Sequence, residues 1–199
     1  MSVEPWMWCV GSFLCGSVPW GFVAGRIRGV DLREHGSRNI GATNTLRVLG
    51  KGAGIAVLLA DTAKGWLPVF LAKQAGLDPN WVVAVALCAV LGHIYSPWVR
   101  FRGGKGVATT LGILFGLDPI VAGLALAIFG LVLAVGGRKV SLASIVASIG
   151  QAVLFWVLPG HALAAQCLTT IAALFIVVRH RENIRRLLRG EEKGIDLGS

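Results

Sequence analysis

The first residues in this 199-residue sequence that could do chemistry form a polar, glycine-rich segment at positions 36–47. Glycine lets the backbone approach a ligand closely, and Ser37 begins a series of short hydrogen-bonding side chains. Arg47 adds a planar guanidinium whose donors fit phosphate oxygens. An ordinary glycine-rich connector is the alternative, but the stretch 29–52 is longer than a connector requires. The segment therefore predicts a binding site for a phosphate-bearing ligand.

A second segment places glycines on both sides of a single lysine. Gly103, Gly104 and Lys105 precede an apolar run, an arrangement typical of a backbone anion site at a helix N-terminus. It is not a nucleotide-binding P-loop, because that pattern requires a glycine where Val99 stands and Ser or Thr directly after the lysine. His93 lies just upstream, where a histidine also fits a simple interfacial hydrogen bond.

Two further polar pairs lie near the ends of later apolar runs. Ser141 and Ser144 are three positions apart, so on one helix they share a face, although helix capping alone would explain Ser141. His180 and Asn183 have the same spacing within a basic stretch. Such a stretch is also typical of an anchor for anionic lipid headgroups. These pairs are candidate additions to the first two segments.

One pair of charged residues, Asp61 and Lys64, falls inside an apolar run. Charges are costly in lipid, so we expect the two to pair on one helical face and to point away from the lipid. Support of the first polar segment and a direct catalytic role are both compatible with this position.

The sequence contains no zinc-protease motif, no paired-cysteine motif and no carboxylate cluster suited to magnesium. We therefore expect neither a metal nor another cofactor. The polar segments instead combine many donors and cations with few bases. Such a set suits phosphate groups and a developing oxyanion.

The composition requires lipid as the solvent for much of this chain. Hydrophobic residues make up 55%, charged residues only 15%, and the mean hydropathy is +0.71. The sequence predicts an all-α membrane protein with seven transmembrane helices. They are Pro5–Gly25, Ala53–Gly76, Trp81–Val99, Val107–Leu117, Pro119–Gly136, Val140–Leu158 and Ala162–Val178.

The 19 Lys and Arg residues determine the predicted topology, because nearly all lie in alternate loops. The positive-inside rule then places the N-terminus outside and the C-terminus in the cytoplasm, and it explains the net charge of +9 without nucleic acid as a partner. We predict one domain, residues 1–199, with its polar loops on the cytoplasmic face. These loops are about 29–52, 100–106, 137–141 and 179–199. Val107–Leu117 is short, at about 17 Å as a helix, so a re-entrant segment remains open there.

The order and spacing of these segments resemble the bacterial acyl-phosphate:glycerol-3-phosphate acyltransferase family over nearly the whole chain. Two departures are small: Lys139 stands where an aromatic residue often precedes the serine pair, and Ser96-Pro97 shifts the usual proline by one position. The resemblance is carried by Gly16-Ser17, Gly36 to Asn44 with Arg47, Asp61-x-x-Lys64-Gly65, Gly92-His93 through Gly103-Gly104-Lys105-Gly106, Ser141-x-x-Ser144 and Arg179-His180-Arg181-x-Asn183.

The resemblance implies transfer of a fatty acyl group from acyl phosphate to the 1-hydroxyl of glycerol 3-phosphate. The products are lysophosphatidic acid and phosphate, made at the cytoplasmic side of a bacterial inner membrane without a cofactor. The implied partners are the two substrates, the lipid bilayer and an enzyme that supplies acyl phosphate.

The resemblance also implies roles for the polar residues. Ser37, Arg47 and Lys105 hold glycerol 3-phosphate as the catalytic set, and His180 and Asn183 close around it. The candidates for the donor phosphate and the oxyanion are Asn39, Gly41, Thr43, Asn44, Gly103, Gly104 and Ser141. His93 and Ser144 complete the substrate-binding set, and Asp61 and Lys64 support it.

A transporter for an anionic organic phosphate is the alternative from another functional class. It predicts polar sites near the membrane midplane and an internal repeat between two halves. In this sequence the polar groups gather on one predicted face, with Asp61 and Lys64 as the partial exception. The acyltransferase interpretation is therefore preferred.

Overall fold

The computed structural model describes residues 4–195, and this range contains helices and loops but no strand. The all-α prediction is confirmed. The helices are α1 (Pro5–Ser17), α2 (Trp20–Ile27), α3 (Ala42–Leu49), α4 (Lys51–Gln74), α5 (Pro79–Ile94), a short 3₁₀ helix (Pro97–Val99), α6 (Val107–Leu117), α7 (Pro119–Val135), α8 (Val140–Val157), α9 (Leu163–Arg179) and α10 (Arg181–Leu188).

Each predicted span coincides with a helix or a broken helix, but not all are long enough to cross a membrane by themselves. Four segments are long and apolar enough: Pro5–Ile27, Lys51–Gln74, Pro79–Val99 and Val140–Val157. A fifth arises if α9 and α10, bent by 59°, count as one span. Among the described residues, α6 and α7 are shorter apolar helices. The chain is thus a multi-pass membrane protein with four or five candidate spans, and seven stays a prediction.

Two short helices, α3 and α10, lie in segments that the sequence predicted as loops. The α3 segment begins with Ala42, Thr43 and Asn44, and Thr and Asn are weak helix formers. Its helix forms against α2 and α4, so packing overrides the local preference.

The described chain divides into two compact units, one within Met1–Leu117 and one within Asp118–Ser199. In the first unit α4 packs against α3, α5 and α6, and α1 packs against α5. In the second unit α8 packs against α7 and α9, and α10 contacts both α8 and α9. The single-domain prediction stays a prediction.

Asp-Pro pairs begin two of the helices. Asp118 accepts hydrogen bonds from the amides of Ile120 (2.8 Å) and Val121 (3.1 Å) at the start of α7, where proline needs no amide partner. Its second carboxylate oxygen lies 2.9 Å from Nε2 of His161, in the loop between α8 and α9. This contact joins two loops at one end of the second unit.

Glycine permits the close contact between α4 and α6. A Cβ atom on Gly65 would overlap the carbonyl oxygen of Thr109, and one on Gly112 would overlap that of Thr62. Backbone atoms occupy both positions, so no side-chain rotation could relieve the overlap. The two helices therefore approach as closely as small residues allow.

We predict that Gly65→Ala lowers the free energy of unfolding by roughly 1–3 kcal/mol, because the added methyl group must force α4 and α6 apart. The measurement is the unfolding transition in mixed micelles, monitored through the loss of the helical spectroscopic signal. The matched control is Gly52→Ala in the same helix, since among the described residues nothing lies within 4 Å of a Cβ built there. Equal stability of the two variants would contradict the close α4–α6 contact.

Candidate active site

Ser37 lies in an exposed turn that a buried asparagine holds from below. The amide of Ser37 donates to Oδ1 of Asn44 (2.7 Å). Nδ2 of Asn44 in turn donates to the carbonyls of Leu32 (3.1 Å) and His35 (3.0 Å). Asn44 is 1% exposed. Its side-chain amide is thus engaged within the loop and fixes the backbone that presents Ser37.

The turn around Ser37 requires an unusual backbone. Gly36 and Arg38 both have positive φ, 60° and 58°. A Cβ on Gly36 would also overlap Oδ1 of Asn44. Glycine at position 36 therefore meets a conformational and a steric requirement at once. The result is a tight turn with Ser37 at its exposed tip.

The start of α3 follows directly. Oδ1 of Asn39 accepts from the amide of Gly41 (2.9 Å), and the carbonyl of Gly41 accepts from the amides of Asn44 and Thr45 (both 3.1 Å). Thr43 and Arg47 are four residues apart on α3, so they lie on one face of the helix. Thr43 is half-buried and Arg47 is exposed. This face offers a hydroxyl and a guanidinium on the same helix whose Asn44 holds the Ser37 turn.

The second glycine segment packs against His93. The amide of Gly103 donates to the carbonyl of Ile94 (3.0 Å), and that of Gly104 donates to the carbonyl of His93 (3.2 Å). A Cβ on Gly104 would overlap the imidazole of His93. These two amides are therefore engaged with the backbone, and the glycines bring the chain close to the histidine. Lys105 follows, half-buried, just before α6.

Ser17 holds the loop that leads to this segment. Its carbonyl accepts from Oγ of Ser96 (2.6 Å), and its Oγ accepts from Nε1 of Trp98 (2.8 Å). Arg100 and Phe101 then adopt left-handed backbone angles, φ 55° and 60°. The chain reverses at these two residues and returns to His93.

Asp61 and Lys64 form the expected pair inside α4. Lys64 Nζ lies 2.8 Å from Oδ1 of Asp61, and the two side chains are 3% and 4% exposed. This contact is an ion pair without an aligned hydrogen bond, since Oδ1 of Asp61 has none among the described residues. Lys64 Nζ donates instead to the carbonyl of Val18 (2.7 Å), and Oδ1 of Asp61 also lies 3.8 Å from Nδ1 of His93.

In the second unit, a carboxylate gathers the polar residues. Glu192, which is 7% exposed, accepts from Oγ of Ser141 (2.7 Å) and Nδ2 of Asn183 (2.7 Å) through Oε1. Its Oε2 accepts from Nε of Arg186 (2.6 Å). Further along, the amide of Ile195 donates to the backbone at position 138 (3.0 Å). The C-terminal segment therefore folds back onto the start of α8.

The electrostatics of Glu192 follow from these contacts. Burial alone would raise the pKa of its carboxyl group, but hydrogen bonds from Ser141, Asn183 and Arg186 outweigh that effect. The net pKa lies below the ordinary value for glutamate. The ionised form is thus the one that the fold stabilises.

Two more predicted site residues, His180 and Ser144, lie in the second unit. Nδ1 of His180 lies 2.8 Å from the carbonyl of Ile176, and His180 is buried at the bend between α9 and α10. Ser144 is buried on α8, one turn beyond Ser141.

Sequence reasoning missed Glu192 and the organising role of Asn44. Glu192 stands among basic residues near the C-terminus, 51 positions from Ser141, and no local pattern links the two. The predicted residues lie in both units, and in the second unit the carboxylate of Glu192 brings Ser141 and Asn183 together. Contact of any of them with substrate stays a prediction.

Comparison with known proteins identifies close relatives. The sequence profile of the family described as Glycerol-3-phosphate acyltransferase matches residues 6–190. A glycerol-3-phosphate acyltransferase of Geotalea daltonii is 46% identical and aligns with 92% of this chain and 93% of its own. The enzyme of the same name from Aquifex aeolicus is 43% identical and aligns with 91% of this chain and 94% of its own.

Solved structures agree with these relatives. One is a crystal structure of PlsY (YgiH), an integral membrane glycerol 3-phosphate acyltransferase, in its glycerol 3-phosphate form. It matches with a TM-score of 0.92 at 38% identity and covers 96% of both chains. The lysophosphatidic acid form of PlsY matches with a TM-score of 0.87 at the same identity, over 96% of this chain and 95% of that one.

We predict that Glu192→Gln lowers stability at neutral pH by about 1–3 kcal/mol, because an amide cannot accept from all three donors as a carboxylate does. The folded-state pKa of Glu192 lies below its unfolded value of about 4.3, so this contribution is present above that pH. It is lost as the pH falls through the folded pKa. The measurement is thermal unfolding between neutral pH and about pH 3.

The control for this prediction is Glu191→Gln, since Glu191 is an exposed neighbour. We expect the Glu191 variant to keep the acid sensitivity of the original protein and the Glu192 variant to lose part of it. Identical pH profiles for all three proteins would show that the carboxylate of Glu192 does not hold the C-terminal segment.

Proposed function

We propose acyl phosphate as the donor for this chain, which belongs to the glycerol-3-phosphate acyltransferase family and transfers an acyl group to glycerol 3-phosphate to give lysophosphatidic acid. Acyl phosphate is a mixed anhydride and is already activated. The polar residues suit it, because they supply donors and cations for two phosphate groups and few bases for proton abstraction. The donor's apolar chain would lie along the lipid-facing helices, where large apolar side chains such as Leu59 and Leu131 are exposed.

The observation that carries the proposed acceptor site is the exposed Ser37 turn, held by Asn44 of the helix that also bears Thr43 and Arg47. Ser37 and Arg47 are proposed to bind the phosphate of glycerol 3-phosphate, and Lys105 is proposed to complete the charge balance. Guanidinium and ammonium groups are the usual protein partners of phosphate. The buried amide of Asn44 supports the proposal because it fixes the Ser37 backbone before substrate arrives.

The proposed reaction requires no protein base. The 1-hydroxyl oxygen of glycerol 3-phosphate attacks the carbonyl carbon of acyl phosphate, the bond from that carbon to the phosphate oxygen breaks, and phosphate leaves. The hydroxyl proton passes to a phosphate oxygen of the acceptor. Positioning and electrostatic stabilisation then provide most of the acceleration.

The other predicted residues receive roles that follow from their contacts. Thr43 and the backbone near Asn39 and Gly41 are proposed to bind the donor phosphate. Gly103 and Gly104 are proposed to position Lys105 through their packing on His93, since their amides are engaged. Binding of substrate by Ser141, Ser144, His180 and Asn183 stays a prediction, and Glu192 is proposed to orient the first and last of these.

We also propose seven spans, with the N-terminus outside and the active site facing the cytoplasm of a bacterial inner membrane. The alternation of basic loops supports this topology. A water-soluble acceptor such as glycerol 3-phosphate also requires a site that opens to water. An enzyme that supplies acyl phosphate is the proposed partner. Because the chain belongs to this acyltransferase family, the transporter alternative is set aside.

We predict that Lys105→Ala lowers kcat/KM for glycerol 3-phosphate on the order of 100-fold, because a charge-assisted contact with phosphate is lost. The protein should keep its thermal unfolding midpoint. The matched control is Lys73→Ala. Lys73 lies near the C-terminal end of α4, and its ammonium donates to the carbonyl of Gly116 (3.0 Å). Near-normal activity of a folded Lys105 variant would rule out the proposed role of this lysine.

The donor is tested with purified protein in lipid or detergent. Glycerol 3-phosphate is supplied with either acyl phosphate or acyl-CoA, without added metal. We expect lysophosphatidic acid and free phosphate from acyl phosphate alone. Product from acyl-CoA alone would overturn the proposed donor and leave the acyltransferase activity intact.

A further inference from the structure

The buried ion pair of α4 has contacts that extend beyond its two members. Lys64 donates to the carbonyl of Val18, which lies in the break between α1 and α2. Pro19 follows Val18 and has no amide hydrogen, so one of the backbone hydrogen bonds that would continue the helix is missing at this break. The ammonium of Lys64 therefore fastens the break from inside the first unit.

Beyond the break, α2 supports the first polar segment. A Cβ atom on Gly21 would overlap the carbonyl oxygen of Ile40, so this helix lies directly against the segment's backbone. Ile40 is buried, and it lies between the exposed turn of Ser37 and the start of α3. The position of α2 therefore constrains the backbone between the Ser37 turn and α3, and Val18 lies directly before α2.

The aspartate end of the pair reaches the second polar segment. Oδ1 of Asp61 lies 3.8 Å from Nδ1 of His93. The carbonyl of His93 accepts from the amide of Gly104, and its ring packs under that glycine. Lys105 comes next in the chain. One residue, His93, therefore lies between Asp61 and the glycine backbone that precedes Lys105.

Stability alone does not account for a pair at this place. Two charges that are almost completely buried lose their hydration, and apolar replacements of such pairs are frequently neutral or stabilising. Removing one partner, in contrast, leaves an uncompensated buried charge. A pair with contacts to two separate segments can instead specify their relative position.

We infer that Asp61 and Lys64 are positioning residues that set the Ser37 turn and the Lys105 segment at a fixed spacing. The lysine acts through Val18 and α2, and the aspartate acts through His93 and Gly104. Neither residue contacts substrate. This inference rests on the proposed function, since the spacing matters because Ser37 and Lys105 serve the same phosphate.

The test compares the double variant Asp61→Asn/Lys64→Met with the original protein. Neutralising both members leaves no uncompensated charge, so we expect a thermal unfolding midpoint close to the original. We expect kcat/KM for glycerol 3-phosphate to fall at least 30-fold. Lys73→Met is the control, because it removes a lysine of the same helix that donates to a backbone carbonyl away from both segments. Its activity should stay within twofold of the original.

Non-additivity separates positioning from simple stabilisation. Lys105→Ala and Ser37→Ala are each made in the original protein and in the double variant. If the pair positions both segments, each substitution should reduce kcat/KM less than fivefold in the double variant. A merely structural pair predicts the same reduction in both backgrounds, and that result would overturn the inference, as would a folded double variant with full activity.

A further variant keeps the inference testable if the double variant does not fold. His93→Asn leaves the ion pair in place and replaces the imidazole that lies between Asp61 and Gly104. Lys105→Ala should then be non-additive with His93→Asn, whereas Ser37→Ala should be additive; the reverse pattern, or additivity of both, would contradict the inference. Product formation by the original protein tests the proposed function separately, so the two failures are distinguishable.

Discussion

A polar group inside an apolar protein must find its partners within the protein, because neither lipid nor packed side chains can replace water. In this chain two of the polar segments are organised by a buried side chain that meets this requirement. Asn44 organises the Ser37 turn, and Glu192 organises the start of α8. Lys64 fastens the break after α1. The exposed residues of the loops depend on these buried contacts, which hold the loop backbone in place.

The first unit also depends on close contacts between the backbones of its helices and loops. Short loops on long helices can present side chains accurately only if the helices lie at fixed distances. Gly65 and Gly112 allow α4 and α6 to meet through their backbones, and Gly104 allows its segment to meet His93. Glycine is required at these positions, since any Cβ atom would overlap backbone atoms or the imidazole of His93.

The structure also changes how several predicted site residues are understood. Contact of Asn44, Gly103 and Gly104 with substrate stays a prediction, but the side-chain amide of Asn44 has partners in the loop and the backbone amides of both glycines donate to the end of α5. They hold the backbone around Ser37 and before Lys105. Residue types typical of phosphate binding therefore include exposed groups, such as Ser37, and buried groups that hold the loop, such as Asn44. Spacing along the chain does not separate the two, because both occur in the same short segments.

The sequence by itself determined the class of this protein, the positions of its apolar helices and the chemical character of its polar segments. These properties are local: hydropathy, charge and residue type are read directly along the chain, and the i to i+3 spacing of Asp61 and Lys64 already predicts their pairing. The tertiary structure decided which partner each buried group has. Ser141 and Glu192 are distant in sequence, and α3 forms in a segment with weak helix formers, because packing selects contacts that no local pattern encodes.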